Sequence, residues 1–388
     1  MIGNVSFFSQ VLNCLPRRIF QRHVKSCGAE RCSKGFKSWT QMVAMLFCHL
    51  GRAESLREIC HGLAGMGGKL SHLGLAEPPA RSTLSYANKH RTSELFGEYY
   101  YSLLDHFRSR QMLFKGKSFR FKNPVKILDA SLISLCHSAY EWAEYRTSKG
   151  AAKIHVLLDA MDVMPDFVHV TKGKDHDLVV KDLLNLPGGT IVVFDRGYND
   201  HGFYDDLKFR DVEFVTRMRS NTLYEVVRRN QIPVSIHDRI LEDQIIRISG
   251  SSYYFRRVVV READAEEDKE VVLLTSLLKF GPTTISNLYR ARWRIEEFFR
   301  QIKQNLRIRT FVGTSLNAFK IQIWTAMIAL LILSWLRYRS RSGWSFSVFA
   351  AMVRLILLSN IKLEEWLRNP TRELMQRESR GQMQFAFR

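Results

Sequence analysis

Acidic residues are in short supply in this chain. Its 388 residues hold 38 Asp and Glu against 58 Lys and Arg, leaving a formal charge of +20. That balance points to a polyanionic partner, most often nucleic acid, held through phosphate contacts and counterion release. Cysteine is sparse too. Cys14, Cys27, Cys32, Cys48, Cys60 and Cys136 include no CxxC pair, which argues against a zinc module, even with His23 upstream of Cys27, and fits reduced thiols in a cytoplasmic protein. No basic segment followed by an apolar one opens the chain, so no secretory signal is expected. The longest apolar run, Ile323–Leu336, is short for a membrane span and follows closely on Lys320 and Gln322. It reads as a buried helix, with no membrane role. Internal repeats are absent, and the glycines at 65, 67 and 68 lack the strand and helix context of a phosphate-binding loop.

What is present is enough for a sizeable core: 46% hydrophobic and 12% aromatic residues exclude disorder. The positive surplus is concentrated early. Met1–Leu128 carries 20 Lys or Arg and 7 Asp or Glu, so DNA binding is expected mostly from this end. Apolar positions there recur at helical spacing, through Phe8, Leu12 and Leu15 and again over Thr40–His49, so residues 1–124 read as all-helical. Within them Ala80–Arg91 (ARSTLSYANKHR) has the form of a short polar and basic helix after a turn, either an element that reads DNA or a merely exposed helix. Arg81, Asn88, Lys89 and Arg91 are its candidate DNA contacts.

From Val125 the period changes to that of strands. Val125–Leu135, Lys153–Asp159, Met164–Thr171, Thr190–Phe194 and Glu213–Arg217 read as strands and Val179–Leu186 and Phe203–Phe209 as helices, a mixed α/β domain over 125–312. Residues 218–281 read as a β-rich insertion, with Glu262–Glu270 (EADAEEDKE) as a solvated turn. Residues 313–388 read as C-terminal helices, Phe319–Tyr338 and Trp344–Leu358, with a polar, Arg-rich end.

The organising stretch is Leu288–Leu306 (LYRARWRIEEFFRQIKQNL), read as one helix. Tyr289, Arg292, Glu296 and Lys303 fall within a sector of roughly 60° at about 100° per residue. One narrow face then bears a phenol, a guanidinium, a carboxylate and an ammonium group. Such a face is either a solvated surface with an Arg–Glu pair or one that handles phosphate. Trp293 beside it would either stack on a base or pack into the core. Two more acids bear on the choice. Asp129 lies in the apolar middle of a strand and Asp195 ends another, and a carboxylate in either place is costly unless paired or metal-bound. Three converging carboxylates suit Mg²⁺, or Mn²⁺ in its place, and a pair of such ions clamps the attacking and leaving oxygens of a phosphoryl displacement.

These residues resemble those of the DDE transposases of bacterial insertion sequences, in the group with a Tyr-x2-Arg-x3-Glu-x6-Lys signature. Tyr289, Arg292, Glu296 and Lys303 match that spacing without a gap. Asp195–Arg196–Gly197–Tyr198 resembles the second-acid motif, and Asp129 with Ala130–Ser131 resembles the first. The resemblance covers nearly the whole chain. It implies a ribonuclease-H-like catalytic domain interrupted by a β-rich insertion, flanked by helices. It also implies Asp129, Asp195 and Glu296 as catalytic ligands of two Mg²⁺ ions, with Tyr289, Arg292 and Lys303 on the DNA; Arg196 and Trp293 are further candidate DNA contacts. Lys153, His155, His176 and Asp177 stand as supporting candidates nearby.

The expected activity is element-specific transposition: binding of double-stranded terminal inverted repeats, cleavage of the ends, and joining of the 3′-hydroxyls to target DNA. A homodimer is expected in the synaptic complex, on the bacterial nucleoid. The alternatives are a ribonuclease-H-fold nuclease or resolvase that cuts without joining, and a catalytically silent DNA-binding relative.

Overall fold

The computed structural model describes residues 5–370, apart from 32, 34, 115, 117–118, 136–139, 141, 147–148, 262–269, 307–310 and 341. The acidic run (but for Glu270) and the Arg-rich C-terminal end lie outside the described residues. The chain divides into two compact units, one of residues 1–114 with 300–388, the other of residues 115–299.

The α/β unit is built on one sheet. Its strands are β1 (Val125–Leu135), β2 (Glu144–Arg146), β3 (Lys149–Asp159), β4 (Pro165–Lys172), β5 (Ile191–Phe194), β6 (Glu213–Arg217), β7 (Tyr224–Arg229), β8 (Ile240–Ile248), β9 (Tyr254–Arg261) and β10 (Glu270–Thr275). β1 is central, antiparallel to β3 and parallel to β5. β6 runs parallel to β5, and β4 pairs antiparallel with β3. The resulting order β4-β3-β1-β5-β6, with three antiparallel strands followed by two parallel to the first, is that of a ribonuclease-H-like sheet. β5 is buried at all four positions because it is covered on both faces. On one face Phe194, Tyr204 and Phe214 stack with Phe255 at the edge, the Tyr204 and Phe214 rings 4.7 Å apart. Tyr204 comes from helix α7 (His201–Phe209), whose N-cap Asp200 accepts from the Phe203 N–H at 2.8 Å.

Residues 218–281 do form strands. β7 to β10 make an antiparallel meander that joins the same sheet where β10 pairs with β6. β7 could not be read from periodicity because all six of its residues are exposed. It pairs antiparallel with β8 from Tyr224 opposite Ile248 to Arg229 opposite Gln244.

Leu288–Leu306 is not one helix. α8 (Pro282–Arg290) ends at Ala291, and α9 (Trp293–Asn305) begins two residues later. Across the junction the bonds shorten to an i→i−3 pattern, from the N–H of Arg292 to Tyr289 O at 3.0 Å, of Arg294 to Ala291 O at 3.0 Å and of Ile295 to Arg292 O at 3.1 Å. No proline or glycine marks the break in the sequence. Val179–Leu186 likewise tightens into a 3₁₀ turn over Asp177–Leu183.

The helical unit comprises α1 (Phe7–Asn13), α2 (Arg17–Ser26), α3 (Ser38–Gly51), α4 (Leu56–Ala64), α5 (Arg81–His90) and α6 (Glu94–Ser109), with α10 (Leu316–Arg339), α11 (Phe346–Ile356) and α12 (Leu363–Arg368). α10 packs against α3, α5, α6 and α11, so the two ends of the chain build one unit, where the sequence suggested two regions. By length and composition α10 alone, among the described residues, is apolar enough to cross a membrane. Its most apolar window is 78% buried within the protein, which is what a central core helix requires.

Candidate active site

The parallel pairing of β1 with β5 sets Leu128 opposite Phe194. Asp129 and Asp195, each one residue further on, therefore come off neighbouring strands at the same level. Both are partly buried. Asp129 Oδ1 accepts from the Ala130 N–H at 2.7 Å, and Asp195 Oδ1 accepts from the Gly197 N–H at 2.8 Å. Burial first, and then the negative charge of Asp195, push the Asp129 carboxyl up to about 7. The Ala130 N–H and Arg292 pull it down again, and Glu296 adds to the rise. Two acids held this close are short of positive charge.

Arg292, at the junction of α8 and α9, supplies some. Its Nη1 lies 3.4 Å from Asp129 Oδ2, and its Nη2 donates to Glu296 Oε1 at 2.5 Å. Its Nε is buried without a partner. The guanidinium also lies 5.9 Å from the centre of the Tyr289 ring, and burial raises the pKa of that phenol. Asp129, Asp195, Tyr289, Arg292 and Glu296 are thus brought together. Lys303 follows Glu296 by seven residues on α9. Arg196 is exposed, its carbonyl accepting from Arg219 Nη2 at 3.1 Å. Trp293 is 62% exposed, which overturns the core alternative for it.

A fourth carboxylate stands close by. Lys153 Nζ donates to Asp177 Oδ1 at 2.8 Å and to the Asp175 carbonyl at 2.6 Å. A Cβ on Gly197 would come within 3.0 Å of Asp195 Oδ1 and nearer still to Asp177 Oδ2. Glycine in the Asp–Arg–Gly–Tyr run is what allows the two carboxylates to approach from either side. His155, buried and held at about 4 mainly by desolvation, bonds to Tyr198 Oη at 3.3 Å and Thr171 Oγ1 at 3.0 Å. His176 turns inward on its own chain, its Nδ1 accepting from the Leu178 N–H at 3.2 Å.

The four N-terminal candidates separate. Asn88 is buried, accepting from Gln41 Nε2 at 2.7 Å. Arg91 spends its fork on Ala29 O, Gln41 Oε1 and Phe36 O at 3.1, 2.8 and 2.8 Å. Both hold helices together, and neither is available to DNA. Arg81 and Lys89 face outward and, with Arg57, Ser85, Tyr86 and His90, line a cavity of about 760 Å³. The recurrence of 81, 82, 85, 86 and 89 is a helix face, and that spacing was the signal for Ser82, Ser85 and Tyr86. Arg57, on α4, could be placed there only by packing.

Residues 120–332 match a family described as the transposase DDE domain, 213 of the 388 positions. The chain belongs to the DDE transposases. A protein of Sinorhizobium fredii named as a transposase is 30% identical over 71% of this chain and 77% of its own length. Another, of Geobacillus stearothermophilus, named for the insertion sequence element IS5377, is 27% identical over 64% and 66%. Residues 4–76 also match a family described as a domain of unknown function. A piggyBac transposase synaptic complex with hairpin DNA aligns with 96% of this chain and 84% of its own at 12% identity, but its TM-score of 0.41 leaves the fold to rest on the strand order.

The transposase is thus an insertion-sequence enzyme of DNA cleavage and strand transfer, in a family that depends on divalent metal. The donor set fits such an ion in kind: hard carboxylate oxygens, two of them on neighbouring strands, with Asp129 pushed toward neutrality by burial and then by the charge of Asp195. Among the described residues no three metal-ligating side chains already surround one point, and Glu296 is paired with Arg292.

Proposed function

We propose that this transposase binds the terminal inverted repeats of its own element, cleaves the ends, and joins the freed 3′-hydroxyls to target DNA. Asp129 within β1 and Asp195 just past the end of the adjacent β5, with Arg292 linking Asp129 to Glu296, carry this reading. Asp129, Asp195 and Glu296 hold two Mg²⁺ ions, which Mn²⁺ can replace. When bound, the ions lower the cost of the negative charge that develops on the attacking and leaving oxygens. The Gly197 N–H fixes one Asp195 oxygen, and the Ala130 N–H does the same for Asp129, so both carboxylates are oriented before DNA arrives. Glu296 joins them when Arg292 transfers its bidentate fork to a DNA phosphate. Tyr289 and Lys303 grip the same terminal phosphates, Arg196 adds charge at the rim, and Trp293 offers an open ring on which a base can stack.

In the helical unit the outward face of α5 (Arg81, Tyr86 and Lys89), with Arg57 beside it, contacts the element end. Two ends must be held at once, so the working form is a homodimer, acting on the nucleoid in the cytoplasm. The decisive experiment is Mg²⁺-dependent cleavage and joining on a plasmid carrying the element's own flanking repeats, comparing wild type with Asp195→Asn. Metal-dependent cleavage and strand-transfer products, both lost in the variant, are expected. Cuts without joined products would favour a nuclease, and unchanged activity in the variant would sink the assignment of the acids.

A further inference from the structure

The part of the helical unit matching a domain of unknown function contains a second basic cavity. It measures about 840 Å³ and opens beside α2 and the start of α3, walled by Arg17, Lys25, Glu30, Arg31, Lys37 and Trp39. Four cations face one acid, and that acid is already engaged. Glu30 accepts from the Ser38 N–H at 2.6 Å and lies 3.7 Å from Lys37 Nζ. Among the described residues lining it, the cavity therefore keeps a surplus of positive charge.

One of the cations is held in place in advance. The Arg17 guanidinium lies 4.4 Å over the Trp39 ring, and its Nη2 donates to the Leu73 carbonyl at 2.9 Å. Trp39 Nε1 donates to the same carbonyl at 2.9 Å, which fixes ring and fork together. Gly74, at φ +76°, closes the arrangement, since a Cβ there would run into the guanidinium. A planar fork stacked on an aromatic ring and ringed by lysines suits phosphate oxygens, with little entropy left to lose on binding.

We infer that this cavity is a phosphate-backbone clamp for double-stranded DNA, separate from the face of α5. Arg17 acts as its rigid contact, and Lys25, Arg31 and Lys37 act as mobile ones. Contacts of this kind set position and affinity without reading sequence. They give the unit a way to hold the element end while α5 and the catalytic carboxylates engage it. The inference rests on the transposase reading for the identity of the polyanion.

The test is binding of the full-length chain to a fluorescent duplex bearing the element end, without divalent metal, over about 50 to 200 mM salt. The variants are Lys25→Gln/Arg31→Gln/Lys37→Gln, Arg17→Gln, and Arg81→Gln/Lys89→Gln as comparator. The triple variant alters exposed side chains, so it keeps the test independent of any unfolding caused by losing Arg17. The expected result for it is a loss of affinity of about tenfold or more, with the slope of log K against log salt shallower by about 2 to 3. The same loss is expected on a duplex of unrelated sequence, because a backbone clamp does not discriminate. Wild-type affinity and slope in the triple variant, with binding weakened in the α5 comparator, would overturn the clamp and leave the transposase reading standing. A wild-type chain that binds no DNA would overturn that reading first, and the clamp with it.

Discussion

In the helical unit, α10 buries sixteen of its 24 residues, and the polar groups it encloses are mostly neutral and bonded. His49 makes two such bonds, to the Leu306 carbonyl at 2.9 Å and Thr325 Oγ1 at 3.0 Å. Partly buried Arg52, Arg91 and Arg354 are charged exceptions. In the α/β unit the charges come inside. Asp243 and Arg256 form a bidentate pair at 2.8 and 2.6 Å, almost wholly enclosed. Lys126 sits between Asp159 and Asp166, and Arg292 between Asp129 and Glu296. A helix satisfies its own backbone, so a helical core can be apolar throughout. In the α/β unit the enclosed acids are neutralised by cations held against them.

The sharpest way to break this contrast is to remove one acid from each role. Asp195→Asn should cut end cleavage by about 10³-fold or more, the several kcal/mol that metal contributes to charge stabilisation. Melting temperature should barely move, and cleavage assays beside thermal melts check both halves. Asp243→Ala should do the opposite to stability. It strands Arg256 in the core and should cost about 3 to 5 kcal/mol, read by urea unfolding.

The helical unit has a pH signature of its own. Burial holds His49 at about 4, below its ordinary 6.5. Above 6.5 both states are neutral and stability is complete. As pH falls from 6.5 toward 4 the unfolded chain takes up a proton that the folded one refuses, and about 3 kcal/mol is lost. His49→Gln should flatten that dependence in denaturation midpoints measured across the range. A smaller change is expected from Gly197→Ala, whose methyl would part Asp195 from Asp177. A displacement of about 1 Å costs on the order of 10²-fold in rate, with affinity for the fluorescent end duplex unchanged. Smallest is Arg81→Gln/Lys89→Gln, which should weaken end binding and flatten its salt slope by about 2 while cleavage at saturating protein persists.

Much of the catalytic sheet was legible because its strands alternate or run apolar in a way only strands do. β1 and β6 begin and end where the periodicity placed them. Where side chains gave no signal the reading failed: β7 is exposed at every position, and the junction between α8 and α9 has no helix breaker. Asn88 and Arg91 show the same limit from the other side. A polar residue on a basic helix reads as a contact until packing shows that it faces Gln41.

The sequence alone determined the chemistry of this transposase. It specified two acids in apolar strands, a third set in a cationic helix face, and a basic N-terminal end, because residue type and spacing limit what a site can bind. Only the tertiary structure decided which of those groups meet. The register of β1 on β5 sets Asp129 beside Asp195, the α8–α9 junction aims Arg292 between Asp129 and Glu296, and the packing of α3 against α5 withdraws Asn88 from the surface. Register and packing arise from contacts between residues far apart in the chain, and no local pattern encodes them.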